Sequence, residues 1–412
     1  MQEEIGPGAI AALRWIDASA TIDIHLGPPL AILAGIALVR GLRRGRTVAQ
    51  LGAREETTLL AIVILIALGL RLIALDAPQQ PRFYFSESTV QVAGRMLDDA
   101  GFLASVRRLA TNTQVAWAQE SPVLFGVHAA FQHLLGPFAG LPGVVGAAWG
   151  VTTSLLAWAA GRAIVSPGFG LAFAALVTIA PLQVTWARIG GLQIPAVTHT
   201  LLVVWVAFAA GRRRSLLLSV LSGLLAFASL WHYFPARIAP LLGAVALVSG
   251  LTRGPGRLGR RGWLCAPLAG LACEAAAWAA YHAGDFTLWP RYPGYLGTRG
   301  EATMLAALEG AWETVVRELP HTLSRYFWTA RAADPRALWG LPAAPVGGGL
   351  DPGLLHGGLV LLPIALLGVL GMLACLRHPW RNAIWLLLAA GGLLLPALST
   401  PSARRFVLLD LA

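Results

Sequence analysis

Charged side chains are scarce in this chain. Of its 412 residues only 12% are charged while 56% are hydrophobic, and the mean hydropathy is +0.65. A soluble domain has about a quarter of its residues charged, so this chain has too few to cover a water-facing surface. Apolar runs such as 57–75, 191–210 and 354–376 are long enough to cross a hydrocarbon core of about 30 Å as helices. The composition therefore predicts a polytopic integral membrane protein.

Cysteine is also rare, and the motifs of several enzyme classes are missing. Cys265, Cys273 and Cys375 lie in apolar stretches without metal-ligand spacing, so we expect packing residues and neither a disulfide nor a zinc site. The chain has no GxxxxGK(S/T) phosphate loop, no GxSxG elbow and no HExxH helix. Its first residues, MQEEIGPG, lack the basic start of a signal peptide, so we expect the first apolar stretch to be retained.

Hydropathy and charge together predict the topology. We expect an all-α transmembrane bundle of about ten spans, near residues 22–39, 57–75, 141–161, 171–187, 191–211, 215–232, 236–252, 263–283, 354–376 and 381–400. Arginine clusters in the short linkers follow the positive-inside pattern and do not indicate a nucleic-acid partner; they lie at 40–46, 212–214, 253–261 and 377–381. With these linkers in the cytoplasm, two long loops lie outside and carry short amphipathic or re-entrant helices. The orientation requires that the short segment 121–135 does not cross the membrane.

Four regions follow from this topology. Residues 1–54 form an extra N-terminal span and a basic cytoplasmic linker, and residues 55–283 form the transmembrane core with the first external loop at 76–120. Residues 284–352 form the second external loop, in which 301–329 has the apolar spacing of an interfacial helix. Residues 353–412 form the C-terminal spans, and they stop where another span begins, so we expect a partial sequence.

A few polar residues near the outer boundary are candidates for chemistry. Glu87 and Glu120 lie in the first external loop, where each is either a functional acid or a solvated loop charge. Arg188 and Arg237 each lie next to a span end at the same face. A guanidinium there binds an anion, for which phosphate is the natural choice, or it reaches to lipid headgroups. His232 alone is more often a packed or interfacial residue than a ligand.

The order of several short motifs resembles the GT-C superfamily of membrane glycosyltransferases, especially the bacterial relatives of protein O-mannosyltransferases and aminoarabinose transferases. The motifs are similar to the family's acidic pair, its Glu-Pro-Leu-Phe stretch, its Ser-Arg-Ile-Gly with a following Pro, its Tyr-Thr-Tyr turn and its return to the membrane after the second loop. In this chain they are Ser86-Glu87, Glu120 to Phe125, Ala187 to Gly190 with Pro195, Trp231 to Tyr233 with Arg237, and Leu350 to Pro352.

The resemblance implies an enzyme that transfers a sugar from a polyprenyl-phosphate donor to an acceptor at the outer face of the inner membrane. Glu87 or Glu120 is then the base or orients the acceptor, and Arg188 and Arg237 hold the lipid phosphate. Tyr233 and His232, in the same turn, are expected to contact substrate. Ser86 replaces the family's first acid, so we expect no divalent metal and no other cofactor.

Two other functions remain as alternatives. The first is a non-catalytic protein of the same architecture that binds or moves a polyprenyl-linked substrate, which Ser86 favours. The second is an ion-coupled transporter, which needs ionisable residues inside spans. Arg71 and Glu274 are the candidates for it, and we expect Arg71 to extend from its span end to the headgroups.

Overall fold

The computed structural model describes residues 52–72, 122–136, 141–180, 183–184, 187, 193–229, 232, 236, 238–254, 260–282, 316, 371–373, 375–380 and 382–397. Every regular element in these ranges is a helix. The predicted all-α class is therefore confirmed for this part of the chain.

The chain divides into two compact units. The larger unit contains residues 48–179 and 183–290, and the other contains 1–47, 180–182 and 291–412. The larger unit has eight long helices in the part that the structure describes: α1 (Ala53–Leu72), α2 (Pro122–Leu135), α3 (Leu141–Ile164), α4 (Pro167–Ile179), α5 (Gln193–Arg213), α6 (Leu216–Ala228), α7 (Ala239–Arg253) and α8 (Arg260–His282). In the other unit the structure describes one long helix, α9 (Ala383–Ala397).

Among the described helices, α3 with 24 residues and α5 with 21 are long and apolar enough to span a membrane. Helices α4, α6 and α7 are apolar too, but they have only 13, 13 and 15 residues. At 1.5 Å per residue the shortest of these extend about 20 Å, less than the hydrocarbon core. The predicted total of ten spans stays a prediction.

The short helices end earlier than the hydropathy predicts, for local reasons. Helix α4 begins at Pro167, four residues before the predicted span 171–187, and ends at Ile179, eight residues before the predicted end. Proline is favoured in the first turn of a helix, and Ser166 Oγ accepts a hydrogen bond from Phe169 N at 3.2 Å. At the other end, Pro181 disfavours the helical conformation of the residue before it. Similarly, α6 ends at Ala228, four residues before the predicted end of its span.

Small residues let the helices of the larger unit pack closely. Gly211 on α5 lies against the backbone of α7, where an added Cβ would be 2.9 Å from Leu251 N. Gly161 on α3 faces Gly170 on α4 in the same way: an added Cβ on Gly161 would be 2.9 Å from the Cα of Gly170. Close backbone approach at glycine is typical of helices that associate in membranes. These contacts make α5 parallel to α7 and α3 antiparallel to α4.

The packing gives the larger unit two distinct ends. We call one the arginine-rich end; it contains the helix termini Ala53, Ile164, Pro167, Arg213, Leu216, Arg253 and Arg260. We call the other the polar end; it contains Leu72, Leu141, Ile179, Gln193, Ala228 and Ala239, and the start of α3 extends beyond Gly150, the residue that Arg71 contacts.

Candidate functional site

The arginine-rich end contains a buried acid that the sequence analysis did not single out. Glu56, in the first turn of α1, is 5% exposed and pairs with Arg162 of α3, Oε1 to Nε, at 2.9 Å. Trp158 Nε1 donates to the same carboxylate oxygen at 2.9 Å, and the Arg162 guanidinium lies 5.5 Å from the centre of the Trp158 ring. This cluster attaches the start of α1 to the end of α3. In the sequence, an acidic side chain in the first turn of an apolar helix was the feature that could have identified Glu56.

Other arginines at this end satisfy helix carbonyls. Arg212 Nη1 donates to Ala163 O at 3.1 Å, and Arg253 donates to the neighbouring Ile164 O. The last four carbonyls of a helix have no partner inside it, and cations near that terminus are stabilising. The arginines that predicted a cytoplasmic linker therefore also join α3, α5 and α7.

The polar end is where the predicted site residues connect to the described helices. Glu87 and Glu120 lie between α1 and α3, Arg188 lies between α4 and α5, and Tyr233 and Arg237 lie between α6 and α7. All five lie outside the described residues, so their placement stays a prediction. His232 is the one predicted site residue that the structure describes.

His232 lies in the turn after α6 and is 1% exposed. Its ring centre is 4.4 Å from that of His199 on α5, with the planes tilted by 33°, and the Nε2 atom of His199 is 2.7 Å from Leu225 O. Neither ring nitrogen of His232 has a hydrogen-bond partner among the described residues. Burial, followed by the neighbouring His199, lowers the pKa of His232 to about 3. His232 is thus a neutral, packed ring at physiological pH.

Buried hydroxyl groups connect α3 to two of its neighbours, α4 and α5. Thr153 Oγ1 on α3 is 2.6 Å from Thr198 Oγ1 on α5. One residue further along α3, Ser154 Oγ accepts a hydrogen bond from Thr178 Oγ1 of α4 at 2.8 Å. Ser154 also donates to Gly150 O in its own helix, so these pairs oppose rotation of α3 against both neighbouring helices.

Arg71 is the second ionisable residue that the structure places at the polar end. We expected it to reach the headgroups, and that expectation is wrong, because its side chain is 0% exposed. Its Nη1 donates to Ala67 O in its own helix and to Thr178 O of α4, both at 3.2 Å. The side chain crosses α3 at Gly150, where an added Cβ would lie 2.8 Å from Arg71 Cδ. The missing side chain of Gly150 is what leaves room for it.

Segment 121–135, which we predicted to be re-entrant or interfacial, contains the 14-residue helix α2. Such a helix extends about 21 Å. His128 and Gln132, one turn apart, are buried at 1% and 5% exposure. At the end of the helix Gly136 adopts a positive φ of 75°, and its N–H donates to Gln132 O at 2.8 Å. This left-handed glycine stops the helix before α3 begins.

In the ranges that the structure describes, no three His, Cys, Asp or Glu side chains are grouped as metal ligands. The chain matches no model of a known protein family, and no curated protein matches its sequence. Membership of the GT-C superfamily therefore stays a proposal.

Proposed function

We propose that this protein is a membrane glycosyltransferase that moves a sugar from a polyprenyl-phosphate donor to an acceptor at the outer face of the cell inner membrane. The observation that carries the proposal is the order of its motifs, from Ser86-Glu87 to Leu350-Asp351-Pro352. The helix packing adds support. The segments with the acids and arginines of those motifs connect to helices at one end of the larger unit.

Three contacts support the common end. Arg71 in the last turn of α1 bonds to Thr178 in the last turn of α4. Ala187, just before Arg188, lies beside Gly150, where an added Cβ would be 3.0 Å from Ala187 Cβ. His199, near the start of α5, contacts His232 after the end of α6. By the positive-inside rule the arginine-rich end faces the cytoplasm, which puts this polar end outside.

The proposed reaction is a direct, inverting displacement. Glu87 or Glu120 takes the proton of an acceptor hydroxyl, whose oxygen then attacks the anomeric carbon of the donor sugar. The bond between that carbon and the phosphate oxygen breaks, and polyprenyl phosphate leaves. Arg188 and Arg237 stabilise the negative charge that develops on the leaving phosphate. In this proposal Tyr233 contacts the substrate, and His232, which is buried, packs beneath the same turn.

The test uses purified full-length protein in detergent with a polyprenyl-phosphate sugar and candidate acceptors. We expect free polyprenyl phosphate to appear only with acceptor, and Glu87→Gln or Glu120→Gln to slow its release at least about a hundredfold, the usual contribution of a general base. Glu55→Gln is the matched control, since Glu55 lies exposed at the arginine-rich end. Transfer at the wild-type rate by both test variants would show that the acids are wrongly assigned.

Ser86 favours a second candidate function, a protein of the same architecture that binds or moves the lipid carrier without catalysis. Serine cannot serve as a base at neutral pH in the way that the family's first acid does. Saturable binding of the polyprenyl phosphate with no sugar transfer, across acceptors and with or without divalent metal, would decide for this candidate.

A further inference from the structure

The guanidinium of Arg71 has one side occupied and the other unused. Nη1 donates to Ala67 O and Thr178 O, whereas Nε and Nη2 have no hydrogen-bond partner in the described part of the chain. In an arginine side chain, Nε–H and one N–H of Nη2 point in the same direction. This edge can hold two oxygens of one oxyanion in parallel hydrogen bonds. The unused edge is therefore the one suited to bidentate binding.

No described carboxylate compensates this charge. Glu55 and Glu56 are the acids whose side chains the structure describes, and both lie in the first turn of the same helix. Fifteen residues of helix put Glu56 on the order of 22 Å from Arg71, and Glu56 already pairs with Arg162. A buried charge without a counterion is costly, which points to a ligand.

The surrounding helices hold the Arg71 side chain in place. Gly150 lets it cross α3, and Thr178 O holds Nη1 from α4. Thr178 is itself held by its hydroxyl, which donates to Ser154 Oγ. The edge formed by Nε and Nη2 is thus fixed before any ligand arrives, which lowers the entropic cost of binding.

The apolar surface of α1 indicates the kind of anion. Along this helix Ala67 and Arg71 are buried, whereas several large apolar side chains are exposed, the last of which follows Arg71 in the sequence: Leu59, Ile62, Leu65, Ile66, Leu68 and Leu72. An oxyanion attached to a long hydrocarbon chain can lay that chain along this surface, whereas a free phosphate gains nothing from it.

We propose that the Nε and Nη2 edge of Arg71 binds the phosphate of a polyprenyl phosphate whose hydrocarbon chain follows α1. This assignment rests on the proposed function and adds to it a phosphate ligand on the first helix of the larger unit.

The experiment measures equilibrium binding of polyprenyl phosphate, and of the uncharged polyprenol of the same length, to full-length protein in detergent. Arg71→Gln removes the charge, and Arg71→Lys keeps the charge but cannot offer two parallel N–H groups. Arg212→Gln is the matched control, because Arg212 also donates to a carbonyl at a helix C-terminus but lies at the other end. We expect both Arg71 variants to bind the phosphate at least about tenfold more weakly, as expected for loss of a charged hydrogen bond. Polyprenol binding and the control should match wild type.

Equal affinity of wild type and both Arg71 variants for polyprenyl phosphate would overturn the proposal. So would inorganic phosphate that binds through Arg71 as tightly as the lipid, because the hydrocarbon chain would then contribute nothing. If the Arg71 variants do not fold, Gly150→Ala replaces them, since its Cβ displaces the Arg71 side chain without removing it. Wild-type affinity in folded Gly150→Ala would likewise count against the assignment.

Sugar transfer, measured on the same samples, separates this inference from the proposed function. Arg71-dependent binding without transfer by wild type supports the inference and contradicts the enzyme. Transfer by wild type with unchanged binding in the Arg71 variants supports the enzyme and overturns the inference.

Discussion

The two ends of the larger unit use arginine in different ways. At the arginine-rich end, Arg212 caps the carbonyl of Ala163, while Arg162, half exposed, pairs with Glu56. At the polar end, Arg71 caps the carbonyl of Thr178 in the same manner, yet it is sealed from water and keeps its bidentate edge without a described partner. Arg212 is exposed and Arg162 is paired with an acid, and both join helices, whereas Arg71 is buried with no described acid beside it, which is why we propose a ligand for it.

The largest effect is expected from Gly211→Ala at the arginine-rich end. The new Cβ meets the backbone of α7 at Leu247 O and Leu251 N, which cannot move without separating the helices. We expect the free energy of unfolding to fall by roughly 1–3 kcal/mol, towards the upper end of that range. Chemical unfolding in detergent measures this change.

Gly69→Ala on α1 is the control, since nothing lies within 4 Å of its added Cβ. It should stabilise the helix by roughly 0.5–1 kcal/mol. Gly150→Ala should cost less stability than Gly211→Ala, because a side chain can move more easily than a backbone. Equal losses at Gly69 and Gly211 would contradict the close packing of α5 on α7.

Acid is expected to weaken the polar end through His232. Its folded pKa of about 3 lies below the unfolded value of 6.5, so below pH 6.5 the unfolded chain binds more protons. The stability from the neutral ring is fully present above pH 6.5 and falls as the pH drops towards 3. Because the unfolded chain binds at most one more proton at this residue, the free energy of unfolding falls by at most about 1.4 kcal/mol per pH unit.

Unfolding of wild type and His232→Gln between pH 6.5 and 4.5 measures this dependence. The variant should show a smaller slope than wild type, because glutamine at position 232 does not titrate. An identical slope in wild type and His232→Gln would show that His232 is not buried as described.

The smallest effect is expected from Arg162→Gln, which leaves the buried Glu56 with the Trp158 hydrogen bond and no cation. Because Arg162 is half exposed, water compensates part of the loss, and we expect about 1 kcal/mol of destabilisation. Arg71→Met should have the opposite sign in the absence of ligand, since it removes a buried charge without a counterion. Destabilisation by both changes would remove the contrast between the two ends.

Several features of the fold were predictable because their causes are local. The all-α class follows from long apolar runs, and of the arginine clusters predicted to share one side, those at 212–214 and 253–261 lie together, since Arg214 donates to Gly254 O. The short length of α4 was also predictable, since Pro167 and Pro181 flank it. Mean hydropathy averaged over a window did not show this, because a single proline hardly changes the average. The candidate acids and arginines of the site stay predictions. His232 is described by the structure, and its burial agrees with the alternative that it is a packed residue.

Other features depend on residues far apart in the chain. Glu56 and its partner Trp158 are separated by 102 positions, and Arg71 and Thr178 by 107. The sequence by itself determined that this protein is helical and apolar with its arginines gathered between helices, because composition and spacing act within each segment. Only the tertiary structure decided which arginine is paired with an acid and which is buried with two unpaired nitrogens. That depends on what the neighbouring helices place around each guanidinium, here a carboxylate for Arg162, and for Arg71 a glycine and a helix carbonyl.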